Sequence, residues 1–174
     1  MTGFKSILIL TLIVITAALP SVAADSYRGE KTMGIYGGYT TRNNSATAGI
    51  FFQYRFGKYL RIAPSAGYDF RNEGEDAFNI DLDIHVPVAL NSEASVNIYP
   101  IAGLGYANIS RRENSRIARS SSDSRQSFDR FGVNLGGGLE YFASPTLRLA
   151  LEGKWRGRHD YPTGIFSVSI GYRF

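Results

Sequence analysis

The chain has 174 residues, enough for a single domain, and its lack of cysteine excludes disulfides and thiolate metal sites. Its 19 basic and 15 acidic residues give a net charge of +4, and 44% of its residues are hydrophobic. Beyond the N-terminus no run of 18 apolar residues occurs, which excludes a membrane-spanning helix from the rest of the chain.

Residues 1–24 have the pattern of a cleaved secretory signal peptide. Lys5 supplies the positive charge, residues 7–15 form a short apolar core, and residues 22–24 are the small residues of a cleavage site. The apolar core is too short for a membrane anchor. Cleavage would remove Lys5 and no acidic residue, so residues 25–174 would carry a net charge of +3 and form one domain.

Eight segments of the remaining chain alternate apolar and polar residues with a period of two. In residues 78–88 one phase reads Phe, Ile, Leu, Ile, Val, Val and the other reads Asn, Asp, Asp, His, Pro. A strand sorts such residues onto two faces, whereas a helix would scatter them. The eight predicted strands are residues 33–41, 46–56, 60–70, 78–88, 96–106, 131–141, 147–155 and 164–174.

The connections between these strands alternate in length, which predicts how the chain is oriented. Short connections follow the even-numbered strands and longer ones follow most odd-numbered strands, the longest being residues 108–130. Outer-membrane barrels have short periplasmic turns and long outer loops, so both termini are expected to be periplasmic. Pro64 and Pro100 fall inside the third and fifth predicted strands, where we expect paired bulges.

The polar phase of the strands predicts a wet barrel interior, and the apolar phase predicts a lipid-facing exterior. Glycines are concentrated in the polar phase, as a narrow eight-stranded interior requires. Aromatic residues cluster at both ends of the apolar phase, as in the girdles of membrane barrels. A soluble barrel would reverse these faces. The polar phase also supplies a candidate lumen network of Arg55, Arg61, Asp69, Asp81, Asp83, Glu140, Arg148, Glu152 and Lys154, with Arg156 and Arg173 in the same phase.

Four motifs resemble the small outer-membrane β-barrel family, which includes OmpA-like and OmpX-like proteins. They are the glycine- and tyrosine-rich stretches at residues 34–39, 99–106 and 136–141, and the alternating last strand at residues 166–174. The resemblance implies an all-β fold, an eight-stranded antiparallel up-and-down transmembrane barrel in the cell outer membrane. It also implies contact with membrane lipids and lipopolysaccharide. Ile170, Tyr172 and Phe174 look like the signal that the barrel-assembly machinery reads.

A structural or surface-interaction role through the outer loops is the leading functional hypothesis. Residues 108–130 contain six basic residues, all arginine, against three acidic residues, which is a net charge of +3. Arginine forms forked hydrogen bonds to phosphate, so this segment predicts binding of lipopolysaccharide or another polyanion. The alternative is a solvated loop whose charge has no specific partner. The candidate residues are Arg111, Arg112, Arg116, Arg119, Arg125 and Arg130.

Two alternative functions stay open, a narrow pore and a lipid A-modifying enzyme. The pore would use the charged lumen, although side chains usually fill an eight-stranded interior. The enzyme would need a histidine with serine and acid partners near the outer rim. His85 falls near the opposite end, and His159 lies in the last outer loop without such a serine. We therefore expect no enzyme activity, and the sequence contains no cofactor, metal or nucleic-acid motif.

Overall fold

The computed structural model describes residues 29–72, 74–112 and 125–174, so the predicted signal peptide lies outside the described residues. Within these ranges no helix has the length and apolar character needed to cross a bilayer. The described residues form nine strands: β1 (Lys31–Thr40), β2 (Ser45–Arg55), β3 (Arg61–Asn72), β4 (Glu75–His85), β5 (Val88–Ala89), β6 (Val96–Arg112), β7 (Arg125–Phe142), β8 (Leu147–Arg158) and β9 (Thr163–Arg173).

The strands close into an eight-stranded antiparallel barrel, as predicted. Strands that follow each other in the chain are paired, except that β4 pairs with β6 rather than β5, and β1 pairs with β9 to close the sheet. The short strand β5 continues the line of β4 along β6, because His85 lies opposite Ile101 and Val88 lies opposite Ile98 in one register. Since β4 and β5 together form one interrupted strand of the barrel, the nine described segments make eight barrel strands.

The bulges predicted at Pro64 and Pro100 are wrong. Pro64 pairs in unbroken register with β4, and Pro100 pairs in unbroken register with β7. The pairing of β2 with β3 is interrupted beside Pro64, and Pro100 faces the break between β4 and β5. Proline has no N–H to donate, so these ladders lose a few bonds without shifting. The register shift in β3 lies between Asp69 and Asn72 instead.

Side chains alternate between an apolar exterior and a polar interior. Large apolar residues point outward, and Phe131 is 77% exposed. Arg148 and Glu140 point inward and are 0% exposed. This distribution is the reverse of a soluble barrel and matches the faces predicted from the sequence. A lipid environment requires an apolar outer surface, and it requires a closed sheet in which the backbone N–H and C=O groups are hydrogen-bonded.

Inward-facing glycines make room for the large side chains of the interior. A Cβ atom built on Gly138 would overlap the ring of Tyr99, and one built on Gly67 would overlap the hydroxyl of Tyr36. An eight-stranded interior is just wide enough for side chains, so each bulky residue needs a small neighbour. The glycines of the polar phase therefore permit the tyrosines of the lumen.

The β6–β7 hairpin is much longer than the other hairpins. Strands β6 and β7 have 17 and 18 residues, and they remain paired as far as Arg112 and Arg125. The prediction that residues 108–130 form a loop is therefore wrong at both ends, and residues 113–124 lie outside the described residues. About five extra residues per strand extend the hairpin by roughly 15–20 Å at ~3.4 Å per residue.

Candidate functional site

Charged side chains occupy three levels of the barrel. We call the end that carries Lys31 and Arg173 the terminal end, and the opposite end, with the long hairpin, the hairpin end. From the terminal end upward, two ion-pair clusters fill the lumen. The inner cluster contains Arg61, Glu140, Arg148 and Glu152, and the middle cluster contains Asp69, Asp81, Asp83, Lys154, Arg156 and Arg158. A third group of arginines lines the hairpin-end mouth.

Glu140 is the centre of the inner cluster. Its Oε2 atom accepts hydrogen bonds from Nη1 of Arg61 and Nε of Arg148, each at 2.7 Å. Its Oε1 atom accepts from the side-chain amide of Asn97 at 3.2 Å. Because Glu140 and Arg148 are fully buried and Arg61 nearly so, these contacts replace the water that the charges lose. Four of the residues predicted for the lumen meet in this cluster, since Glu152 also lies 3.8 Å from Arg148.

Tyr99 links the inner cluster together, although sequence reasoning did not select it. Nη2 of Arg148 donates to the Tyr99 hydroxyl at 2.9 Å, and that hydroxyl donates to Oε1 of Glu152 at 2.7 Å. His85 stacks on the Tyr99 ring with centroids 4.8 Å apart, and Arg61 lies 4.7 Å from its centroid. The signal was present in the sequence, because Tyr99 falls in the polar phase of its strand.

The middle cluster balances three carboxylates against three cations. Nζ of Lys154 lies 2.9 Å from Asp81 and 2.7 Å from Asp83. Arg156 donates to Asp81 through Nε at 3.1 Å and Nη2 at 2.7 Å. Arg158 lies 3.6 Å from the other oxygen of Asp81. Sequence reasoning missed Arg158 because the predicted strand ended at residue 155, whereas β8 continues to residue 158.

Two of the predicted inward arginines lie outside both clusters. Arg55 and Arg173 flank Glu30 at the terminal end, at 3.6 and 3.4 Å. Arg55 also donates to the carbonyl oxygens of Gly57 and Lys58 at 3.1 and 2.8 Å. These arginines therefore hold Glu30, which precedes β1, and the turn between β2 and β3 at the terminal-end rim.

A small cavity lies in the lumen between the clusters. The cavity there measures about 30 Å³ and is lined by residues that include Tyr36, Phe51, Lys154, Arg156 and Ile165. This volume holds about one or two water molecules. A conducting path would require the side chains of both clusters to move.

The hairpin-end mouth contains a larger cavity of about 300 Å³, lined by Arg42, Ile109, Arg111, Phe128, Arg130, Asp160 and Tyr161. Its floor is Tyr161, which is 6% exposed and packs with Ala77, Ala107 and Ile109. The Tyr161 hydroxyl donates to Oε2 of Glu75 at 3.3 Å. Burial, together with the charge of Glu75, raises the pKa of Tyr161 to about 12, so the hydroxyl stays protonated at neutral pH.

The arginines of the mouth differ in their partners. Nε of Arg111 donates to Oε1 of Glu75 at 2.6 Å. Arg42 lies over the ring of Tyr161 with Cζ 4.0 Å from the centroid, and Arg130 lies 5.7 Å from the centroid of Phe128. Among the described residues, no carboxylate lies within 4.0 Å of Arg42 or Arg130. Sequence reasoning missed Arg42, because it belongs to a different hairpin.

The six arginines predicted to bind polyanions are divided by the fold. Arg111 and Arg130 line the mouth cavity. Arg112 and Arg125 lie opposite each other where the described part of the long hairpin ends. Arg116 and Arg119 lie outside the described residues.

The two histidines lie at opposite ends of the barrel. His85 is buried in the inner cluster, where its Nδ1 lies 3.2 Å from Nη2 of Arg61. His159 is exposed at the hairpin end, with Nδ1 2.7 Å from Oδ2 of Asp160. In the described part of the chain, no group of three or more histidine or acidic side chains could hold a metal ion.

Comparison with known proteins identifies the family. The outer membrane protein beta-barrel domain matches residues 7–174. The chain belongs to this family. No curated protein matches it in sequence.

Solved structures of outer membrane barrels have the same fold at low sequence identity. The N-terminal barrel of OprF from Pseudomonas aeruginosa is 17% identical, with a TM-score of 0.63 over 84% of this chain and 98% of that chain. Ail from Yersinia pestis is 16% identical, with a TM-score of 0.59 over 84% and 99%. A de novo designed transmembrane β-barrel is 18% identical, with a TM-score of 0.60 over 84% and 97%.

Because the chain belongs to an outer membrane barrel family, we infer that its exposed apolar belt contacts the lipid of the outer membrane. The last strand β9 contributes to this belt, because Ile170, Tyr172 and Phe174 all point outward and are exposed. The rings of Tyr172 and Phe174 are stacked with centroids 6.2 Å apart. An aromatic pair at the end of an outer membrane barrel strand fits the girdle at a lipid interface.

Proposed function

We propose that this outer-membrane barrel does not conduct through its lumen and that it binds anionic glycans at the cell surface through its hairpin end. The observation that carries the proposal is the distribution of positive charge. In the lumen the arginines are paired with carboxylates, whereas among the described residues neither Arg42 nor Arg130 at the mouth has a carboxylate within 4.0 Å. Positive charge that the fold does not neutralise is available to a ligand.

The proposal includes the topology predicted from the sequence. Residues 1–24 act as a cleaved signal peptide, the termini are periplasmic, and the hairpin end is extracellular. In this orientation the long hairpin stands beside the phosphates of lipopolysaccharide. Ile170, Tyr172 and Phe174 serve as the recognition signal for the barrel-assembly machinery. Arg111, Arg112, Arg116, Arg119, Arg125 and Arg130 then form a surface for lipopolysaccharide or another polyanion.

A structural relative offers a precedent for the ligand class. Ail of Yersinia pestis, which is 16% identical, has been solved in complex with the heparin analogue sucrose octasulfate. That polyanion belongs to Ail, and the likeness to this chain concerns the fold. It supports the choice of a sulfated polymer as one of the two probes for this chain.

The test is a binding measurement on the refolded full chain. Changing Arg111, Arg112, Arg116 and Arg119 together to Ser is expected to weaken binding of lipopolysaccharide and heparin at low salt. Wild-type affinity should fall as salt rises, since exposed charges are screened. The same four residues changed to Lys keep the charge and lose the forked geometry, so intermediate affinity is expected. Undiminished binding by the Ser variant would refute the proposal.

A matched control and a folding check complete this experiment. Lys31 and Lys58 lie at the terminal end, so replacing both with Ser should leave polyanion binding unchanged. Unheated samples of each variant should migrate faster on a gel than boiled samples, because the closed ladder resists detergent until heated.

The pore and enzyme alternatives receive less support. A lumen cavity of about 30 Å³ and two balanced ion-pair clusters do not favour conduction. Steady single-channel currents in a planar bilayer would favour the pore. For lipid A chemistry the candidate dyad is His159 and Asp160, which are exposed in the last loop. We therefore propose a binding protein without catalytic activity.

A further inference from the structure

The hairpin-end mouth places two arginines from different hairpins around one cavity. Arg42 belongs to the turn between β1 and β2, and Arg130 belongs to β7. Each guanidinium group lies over an aromatic ring that also lines the cavity, Tyr161 for Arg42 and Phe128 for Arg130. A ring below a guanidinium group restrains its plane. Nη1 of Arg130 also donates to the carbonyl oxygen of Asp129 at 3.0 Å, which restrains this arginine further and leaves its other N–H groups for a ligand. Both arginines are therefore oriented before any ligand arrives.

The other charges of the cavity leave this positive potential in place. Arg111 is neutralised by Glu75, which also accepts the hydrogen bond from Tyr161. Asp160 is the acidic residue of the lining, and its Oδ2 lies 2.7 Å from Nδ1 of His159. With Arg111 and Glu75 paired, Arg42 and Arg130 exceed Asp160 by one positive charge, so the described lining favours an anion.

The size and walls of the cavity restrict the class of ligand further. A volume of about 300 Å³ exceeds the needs of a single inorganic ion and lies at the lower end of small-molecule pockets. Ile109, Phe128 and Tyr161 provide apolar walls for the less polar face of a ring. We propose that the mouth cavity binds one sugar residue that carries a phosphate or sulfate ester. The inference deepens the proposed function, on which its biological setting rests.

The binding of three monosaccharides to the refolded full chain tests this proposal. Calorimetry with glucose 6-phosphate, glucose 6-sulfate and glucose should show binding of at least one ester and no binding of the neutral sugar. Arg42→Ser should weaken ester binding roughly tenfold or more, because it removes a charge-assisted contact. Arg42→Lys should lie between, since it keeps the charge and loses the stacked fork. Equal binding of glucose and its esters, or wild-type affinity in Arg42→Ser, would overturn the proposal.

Arg71→Ser is the matched control for Arg42→Ser. Arg71 lies at the same end of the barrel, but it belongs to β3 and pairs with Asp76 at 2.6 Å. Its replacement should leave ester binding unchanged. Loss of binding in both variants would mean that general surface charge attracts the esters, and the pocket would then be rejected. The shift in gel mobility on heating verifies that each variant is folded.

The same probes separate the two sources of an anionic sugar. The two esters are compared at pH ~5, where each carries about one negative charge. Tighter binding of the phosphate ester then assigns the site to a phosphosugar of the outer-leaflet glycolipid, and tighter binding of the sulfate ester assigns it to a sulfated glycan from outside. The outcome for the cavity is also distinguishable from that for the hairpin. If the fourfold Ser variant loses polyanion binding while Arg42→Ser binds the esters normally, the proposed function stands and the cavity site fails. If Arg42→Ser alone loses ester binding and the fourfold variant still binds polyanions, the cavity site stands and the proposed function fails.

Discussion

Arg148 in the lumen and Arg42 at the hairpin-end mouth carry the same guanidinium group in opposite surroundings. Arg148 is fully buried, and it donates to Glu140 at 2.7 Å and to Tyr99 at 2.9 Å. Arg42 is exposed, and its recorded partner is the face of the Tyr161 ring. The hydrogen bonds of Arg148 stabilise the fold, whereas the N–H groups of Arg42 remain available to a ligand.

The difference follows from the cost of leaving a charge without compensation. Removing a charge from water costs several kcal/mol, so a buried cation needs a carboxylate and hydrogen bonds to compensate that cost. At the mouth, water solvates the guanidinium group and no such partner is required. A short paired contact therefore marks arginines that hold the barrel together, and an unpaired arginine beside a cavity marks a candidate ligand site.

The largest expected effect comes from breaking the inner cluster. Glu140→Gln leaves Arg61 and Arg148 without their shared carboxylate, and we expect it to lower the free energy of unfolding by about 3–5 kcal/mol. The measurement is reversible urea unfolding of the barrel in lipid vesicles. Glu93→Gln, in the exposed turn before β6, is the matched control and should change stability by less than about 0.5 kcal/mol. Equal midpoints for the two variants would show that the lumen ion pairs are dispensable.

A smaller effect should come from overfilling the lumen. Gly138→Ala places a methyl group on the ring of Tyr99, which Arg148 and Glu152 hold in position. We expect a loss of about 1–3 kcal/mol in the same unfolding assay. Gly137→Ala, one residue earlier, points toward lipid and meets its nearest atom at 3.5 Å, an ordinary contact. If the two alanine variants are equally stable, the lumen is less tightly packed than the contacts indicate.

The smallest effect concerns the boundary between the two regions, the floor of the mouth. Tyr161→Phe removes the hydrogen bond to Glu75 and should cost about 1 kcal/mol at neutral pH. The pKa of Tyr161 is raised to about 12 in the folded barrel, so the folded state binds this proton more tightly than the unfolded state. The stability that the protonated Tyr161 contributes is therefore complete below pH ~10 and is lost as pH rises toward ~12.

The stability difference between wild type and Tyr161→Phe should shrink over that interval. Titrating both proteins in parallel cancels the contributions of the other tyrosines and lysines. A difference that stays constant to pH ~12 would mean that Tyr161 does not titrate with folding.

The alternation of residues was sufficient to predict the strands, their faces and most of the lumen. Asp81, Asp83 and Lys154 meet in the middle cluster because their positions in the polar phase direct all three inward. Tyr99 shares that phase, but pattern alone does not say that a tyrosine will join an ion-pair network. Arg158 was missed because strand ends depend on pairing with the neighbouring strand.

The sequence by itself determined that this chain forms a closed barrel with a wet interior and a lipid-facing belt, because a period of two leaves each side chain only two directions. The tertiary structure alone decided which charges meet, because partners such as Arg61 and Glu140 are 79 residues apart and depend on how the sheet closes. It also decided that both ends of the long connection are paired strand and that Arg42 shares a cavity with Arg130. Closure places distant hairpins around one mouth, and no local pattern in the chain encodes that neighbourhood.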